Sequence, residues 1–334
     1  MFYRESQDGQ LLEEGITEAG CMASWIAAAT SYSTHYVPMI PFFTYYSMFG
    51  FQRVGDLIWA ASDMRARGFL IGATAGRTTL EGEGLQHQDG QSLLAASAVP
   101  TCRAYDPAFG YEMAVIIQHG LHVMYEQQQD VIYYIMAMNE KYVQPEMPKG
   151  VEEGIIKGMY LYKRSDHQST DKVQLLGSGA ILREVIAAAE LLENDFGIAS
   201  DVWSVTSFSE LRRDGLEVQR ENMFAPTKQP KISYVASCLE KHEGPIIAAT
   251  DYVRATADLI RPFISRSYTV LGTDGYGRSD TREKLRHFFE VNRYYIVIAA
   301  LYSLSQDGKI SADKVSAAMK KYNIDPKKPN PVTV

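Results

Sequence analysis

The sequence predicts an α/β fold in two domains, and three observations support this. Apolar strand-like runs alternate with helix-like runs along the 334 residues, the pattern that builds βαβ units. The strand-like runs are short and continuous, as suits central parallel strands covered on both faces. Between the two halves, Asn139–Glu153 (NEKYVQPEMPKGVEE) carries Pro145, Pro148 and Gly150 without periodicity and reads as an interdomain linker.

The first expected element is a helix near 16–31. It is apolar on every side from Ala19 to Ala29, so burial all round is expected. A strand near 38–45 follows, then a helix near 51–66 with Phe51, Val54, Leu57, Ile58, Ala61 and Met64 on one stripe. A strand at Phe69–Ala73 leads into a glycine-rich loop, GRTTLEGEGLQHQDG. A short helix near 91–98, a strand at Cys102–Tyr105, a long helix near 108–127 and a strand at Val131–Met138 complete the first half. Beyond the linker, strands are expected at Val173–Leu176, Val202–Val205, Ile246–Ala249 and Tyr268–Leu271. Helices near 180–194, 208–219, 254–264 and 280–289 lie between or after them, and helices near 291–306 and 311–322 close the chain. The predicted domains run 1–145 and 150–334.

Composition narrows the function. An apolar content of 46% and a charged content of 22% describe a soluble globular protein. Forty acids against 33 bases give a net charge of −7, and no basic run interrupts that balance, so a nucleic-acid partner is not expected. Cys21, Cys102 and Cys238 are far apart and form no C-x-x-C pair, which argues against a disulfide framework or a zinc site and for a reducing cytosol. The opening MFYRESQDGQ lacks the apolar core of a signal peptide, and no run approaches the roughly 20 apolar residues of a membrane span. The expectation is a cytoplasmic protein without a membrane partner.

Two places carry the candidate chemistry. Glu18 stands at the head of the apolar 19–29 segment, deeper than the first-turn acids Glu13 and Glu14, with an ordinary helix-start carboxylate as the alternative reading. A carboxyl held there in a dry setting would have a raised pKa and could hold and deliver a proton. The aromatic strand that follows, with Phe42, Phe43, Tyr45, Tyr46 and Phe49, supplies walls for a flat slot, although such a group is by default core. An acid beside a flat aromatic slot suits a heteroaromatic ring. The loop Gly76–Gly90 is the second place. Its glycines (Gly76, Gly82, Gly84, Gly90) let backbone approach a ligand, and His87 is its candidate for hydrogen bonding or proton transfer to a substrate oxygen. A solvated surface histidine is the alternative reading.

Two glycine motifs are set aside. Gly177-Ser178-Gly179 follows a strand and opens a helix, but Leu182 replaces the third glycine of a dinucleotide fingerprint, so a tight turn explains it better. In GTDGYGRSD, Asp274 would repel an anion, and Asp280 with Glu283 reads as the cap of the next helix.

The string EGITEAG…SWIAAATSYSTHYVPMIPFFTYYSMFGFQRVGDLIWAASDMRARGFLIGATAGRTTLEGEGLQHQDG resembles the homodimeric type of bacterial pyruvate dehydrogenase, the thiamine-dependent decarboxylating first component of its complex. KVQLLGSGAILREV, DVWSVTSFSEL and LGTDGYGRSDTREKLRHFFEV resemble its C-terminal domain. The likeness implies two domains of the thiamine diphosphate, transketolase-like fold: a pyrimidine-binding domain lacking its N-terminal strand and helix, then a C-terminal domain with a mostly parallel sheet. It implies that Glu18 hydrogen-bonds the aminopyrimidine of thiamine diphosphate, that Tyr46 and Phe49 contact the pyrimidine, and that His87 faces the substrate. Glu83 lies in the same motif without an assigned role. The implied reaction decarboxylates pyruvate and reductively acetylates a lipoyl group on dihydrolipoyl acetyltransferase, in a homodimer.

The departures shape the expectation further. Neither Gly-Asp-Gly nor a following Asn-Asn, the family's diphosphate and magnesium signature, occurs here, and only 14 residues precede Gly15. The resemblance therefore covers the C-terminal portion alone, and the isolated chain is expected to be catalytically silent. A non-catalytic dimerising fragment is the second hypothesis. A subunit of a split transketolase-like enzyme is the third, because the glycine-rich loop offers only Arg77 to clamp a sugar phosphate.

Overall fold

The structure, a computed structural model, describes residues 4–334; residues 1–3, with which the predicted first domain begins, lie outside the described residues. The first half holds strands β1 (Phe42–Tyr45), β2 (Gly68–Ala73), β3 (Cys102–Tyr105) and β4 (Ile132–Ala137). They pair in the order β1–β2–β4–β3, all parallel, with Phe42 opposite Phe69 and Cys102 opposite Ile132. Strand β4 reads IYYIMA and is buried from Ile132 to Met136, as a central strand covered on both faces should be. On one of those faces the helix Gly110–Leu121 approaches so closely that a Cβ at Gly120 would stand 2.7 Å from Phe69 Cε1.

The second half holds β5 (Met159–Lys163), β6 (Lys172–Gly177), β7 (Ala199–Val205), β8 (Ile246–Ala249) and β9 (Tyr268–Leu271), in the order β5–β7–β6–β8–β9. Strand β5, absent from the sequence expectation, is an antiparallel edge strand; the others run parallel. The helices Leu182–Phe196 and Arg293–Gln306 close one face through Val185, Ala188, Leu192, Ile296 and Val297. Among the described residues no helix is long and apolar enough to cross a membrane.

The two sheets meet through their carboxyl ends. Just beyond β3, the Asp106 amide donates to Thr206 O (2.7 Å), while the Gly179 amide donates to Asp106 O (3.1 Å). Gly179 has φ +49°, and a Cβ there would lie 2.6 Å from Asp106 Oδ1, so close approach is what this glycine serves. Beyond β2, the buried Asp251 carboxylate accepts both the amide and the hydroxyl of Thr78 (2.8 and 2.6 Å) and of Thr79 (3.0 and 2.6 Å). Burial pushes the Asp251 carboxyl up, and the Arg286 charge and the threonine bonds oppose that shift. The Arg77 guanidinium donates to Thr273 O, Gly275 O and Gln91 Oε1. This seam gives the 74–90 loop a floor made by the second sheet.

Candidate functional site

In open α/β sheets ligands sit outside the carboxyl ends of the strands, and the candidate residues gather there. Strand β1 ends at Tyr45; Tyr46 is the N-cap of the helix Ser47–Asp63, with Phe49 in its first turn. Arg53 lies four residues on, hence on the same helix face as Phe49, with its Cζ 4.1 Å from the Phe49 ring centroid. The helix departs from helical geometry at the next residue, Val54 (φ −127°, ψ 20°). A neighbouring helix, Glu18–Ala29, begins at Thr17, whose hydroxyl caps the Gly20 amide (3.3 Å). Its Met22 and Trp25 share one core with Val54 and Ile58, and the Trp25 indole donates to Phe69 O (3.0 Å). That packing brings Glu18 Oε1 to 3.0 Å from Arg53 NH1.

The 74–90 loop completes the group. His87 ends a 3₁₀ turn, Leu85–His87, with its ring centroid 5.1 Å from both Tyr46 and Phe49. The Tyr46 and Phe49 centroids are 6.1 Å apart at 65°, an edge-to-face pair. Glu83 Oε2 lies 3.9 Å from His87 Nδ1, and Gly84 O lies 3.3 Å from it. Glu18, Arg53, Phe49, Tyr46 and His87 thus form one continuous array that draws on three chain segments. A guanidinium over an aromatic face and donating to a carboxylate already occupies part of it.

Four expectations need correction. Glu18 is not in a dry recess: its side chain keeps 20% of its exposure and pairs with an arginine that is 53% exposed. The 18–29 helix is not buried all round. Only Met22, Trp25 and Ala29 are buried, at i, i+3 and i+7, while Ala19, Ala23 and Ala27 face outward. A helix lying on a sheet of which β1 is the edge strand covers one face only, and alanines tolerate the other. Tyr46 and Phe49 are not on a strand, because the helix starts at Ser47 rather than near 51. The 280–289 cap also differs: Thr281, not Asp280, accepts from the Lys284 amide (3.4 Å). Asp274 is bound to Arg254 (2.8 Å). Arg53 escaped the sequence reading because a helix placed at 51 hides its i, i+4 relation to Phe49.

Comparison with known proteins gives a consistent result. Residues 1–145 match the family described as the pyruvate dehydrogenase E1 component middle domain, and residues 158–292 match the transketolase-like C-terminal domain. The pyruvate dehydrogenase E1 component of Cupriavidus necator is 62% identical over 335 residues, covering 100% of this chain and 37% of the relative. That of Pseudomonas aeruginosa is 62% identical, covering 99% and 38%, and that of Escherichia coli K12 is 54% identical, covering 99% and 37%. The chain thus spans 37–38% of the length of these relatives. Among solved structures, transketolase from Campylobacter jejuni aligns with a TM-score of 0.61 at 20% identity, over 83% of this chain and 38% of that one. A split-gene transketolase described as an inactive beta4 tetramer aligns with a TM-score of 0.60 at 16% identity, over 87% and 83%. At these identities the two structures establish the fold alone: transketolase-like α/β, with one parallel and one mixed sheet.

Proposed function

The chain belongs to the pyruvate dehydrogenase E1 component family, and on that premise we propose that Glu18, Tyr46, Phe49 and His87 form the wall of a thiamine diphosphate site facing the aminopyrimidine ring. The observation that carries this reading is the Glu18–Arg53–Phe49–Tyr46–His87 array outside the carboxyl ends of β1 and β2. Its donor set fits the ring. Glu18 offers an acceptor to a ring N–H, and Phe49 offers a flat face; the Arg53 guanidinium, itself flat and N–H bearing, uses both at once.

When bound, thiamine diphosphate supplies the electron sink for decarboxylating a 2-oxo acid. The chain's own residues supply orientation and proton control. Glu18 accepts the ring hydrogen bond and thereby selects which ring nitrogen carries a proton. Tyr46 and Phe49 exclude water from one ring face, and His87 holds or moves a proton at the substrate oxygen. Magnesium belongs to the proposed cofactor, but no residue of this chain is assigned to it. Among the described residues no group of three or more His, Cys, Asp or Glu side chains is placed to hold a metal ion.

The proposed substrate is pyruvate, and the proposed acceptor is a lipoyl group of dihydrolipoyl acetyltransferase, in the cytoplasm. The first sheet serves as the pyrimidine-binding domain (1–145) and the second as the C-terminal domain (150–334). A homodimer is supported by exposed apolar residues beside edge strand β1: Val37, Met39, Ile40 and Phe42 each keep half or more of their surface in solvent. Calorimetric titration with thiamine diphosphate and magnesium tests the reading. It uses the chain alone and the chain mixed with the part of the Cupriavidus necator relative that precedes its match. The mixture is expected to bind, and Glu18→Ala to weaken binding by about tenfold or more. Equal affinity for Glu18→Ala and the unsubstituted chain would refute it.

A further inference from the structure

We propose that residues Gly277–Arg282, contributed by the second sheet's side of the molecule, are the device that positions the histidine loop, with Arg282 as its principal positioning residue. The proposal rests on the reading of His87 given above. The loop that carries His87 has little structure of its own. Between Leu80 and Gln88 its internal backbone bonds are His87 N to Gly84 O (3.0 Å) and Gln88 N to Leu85 O (3.2 Å), and Gly82 takes φ +73°. A glycine-rich loop so lightly bonded loses much conformational entropy when it is fixed, so something outside it must hold it.

Asp251 already fixes Thr78 and Thr79 before the loop, and the hydrogen bonds that reach Leu80–Gln88 from outside come from the six residues Gly277–Arg282. The Arg282 guanidinium donates to Thr79 O (2.7 Å) and to Glu81 Oε1 (2.6 Å), and its backbone amide donates to Glu81 Oε2 (3.2 Å). The Ser279 hydroxyl donates to Glu83 O (2.9 Å). The Arg278 amide donates to Gln88 Oε1 (2.7 Å), and Gln88 in turn donates to Leu80 O (2.9 Å), tying the two ends of the loop together. Gly277 closes the clamp by proximity: a Cβ there would lie 2.5 Å from Leu85 O and 2.9 Å from Gln88 Oε1. The entry, middle and exit of the loop are therefore fixed from a segment nearly two hundred residues away in sequence. Arg282 is anchored behind this, since Arg286, one turn along the same helix, is buried against Glu140 and Glu184. The distance from His87 to Tyr46 and Phe49 is consequently set by the seam between the sheets.

The test uses the full chain without cofactor, so its failure is distinct from a failure of the thiamine titration. Arg282→Ala, Arg282→Lys, Gly277→Ala and the mild, exposed Ser279→Ala are compared by amide hydrogen exchange and by imidazole NMR of the histidines. Expected is exchange about tenfold or more faster at His87 and Gln88 in Arg282→Ala and Gly277→Ala. A shifted His87 ring signal, unchanged His122 and His242 signals, and partial recovery in Arg282→Lys should accompany it. Should Arg282→Ala fail to fold, the same local signature in Ser279→Ala carries the proposal. An unmoved His87 signal in folded variants, or equal changes at every histidine, overturns it.

Discussion

At Glu18 the pull of Arg53 competes with hydration of the carboxylate, and neither wins fully, because the arginine is more than half exposed. Ion pairs of that exposure are worth about 0–1 kcal/mol, so a ligand N–H can replace Arg53 at little cost. The acid and the histidine stand out in the sequence because each lies next to an anomaly, an acid at the head of an apolar run and a histidine among glycines, whereas Tyr46 and Phe49 stand out only through the family resemblance. Their setting was not legible, since solvent access depends on what the rest of the sheet leaves uncovered. Asp106 shows the opposite outcome. It is 4% exposed, both carboxylate oxygens lack a partner, and the nearby Ser178 hydroxyl turns to Thr250 (3.1 Å). Burial, above all, pushes its pKa from the ordinary 3.8 up to about 8, with Asp251, Glu112 and Asp89 adding to the shift. Between those two values the native state keeps a proton that the unfolded chain has released, so this group makes stability fall as pH rises through that interval. Asp106→Asn is expected to raise the melting temperature at about pH 8 and to leave it nearly unchanged at about pH 4, as read by calorimetric scans at both values.

Elements were legible where a period or an apolar run stood alone. Strands β3, β8 and β9 coincide with the expected ranges, and the helix Arg293–Gln306 lies within two residues of its own. Strand β5 is hidden in the sequence because the short helix Glu152–Lys157, which follows directly on the aperiodic 139–153 stretch, runs straight into it. The start of the helix Ser47–Asp63 is masked in the sequence because Tyr46 and Phe49 flank it, and aromatic residues read as strand. Helix packing sets one element-scale expectation. At Gly120 a Cβ would meet Phe69 Cε1 and Cζ at 2.7 and 2.9 Å and Tyr133 Cγ at 3.2 Å, all on buried rings of the sheet. Alanine gains about 1 kcal/mol of helix propensity over glycine, but overpacking a core costs about 1–3 kcal/mol. The net for Gly120→Ala is a loss, expected as a lower urea midpoint with an unchanged slope.

Over the whole molecule, the alternation of runs gave the α/β class, and the proline-marked stretch fell between the two sheets. What the alternation could not show is that the sheets join through their carboxyl ends, because Asp251 with Thr78 and Thr79, or Arg282 with Glu81, are pairs that only tertiary structure brings together. The candidate site depends on that junction: its aromatic wall comes from the first sheet, while its histidine loop rests on the second. The measurement that tests this most directly is a crystal structure of the thiamine diphosphate and magnesium complex of the chain assembled with the preceding part of a relative. The pyrimidine is expected on the face of Phe49 that Arg53 now covers, with Glu18 within hydrogen-bond reach of a ring nitrogen and His87 beside the reacting carbon. A ring bound elsewhere, with the Glu18–Arg53 pair and the covered Phe49 face unchanged, would contradict it.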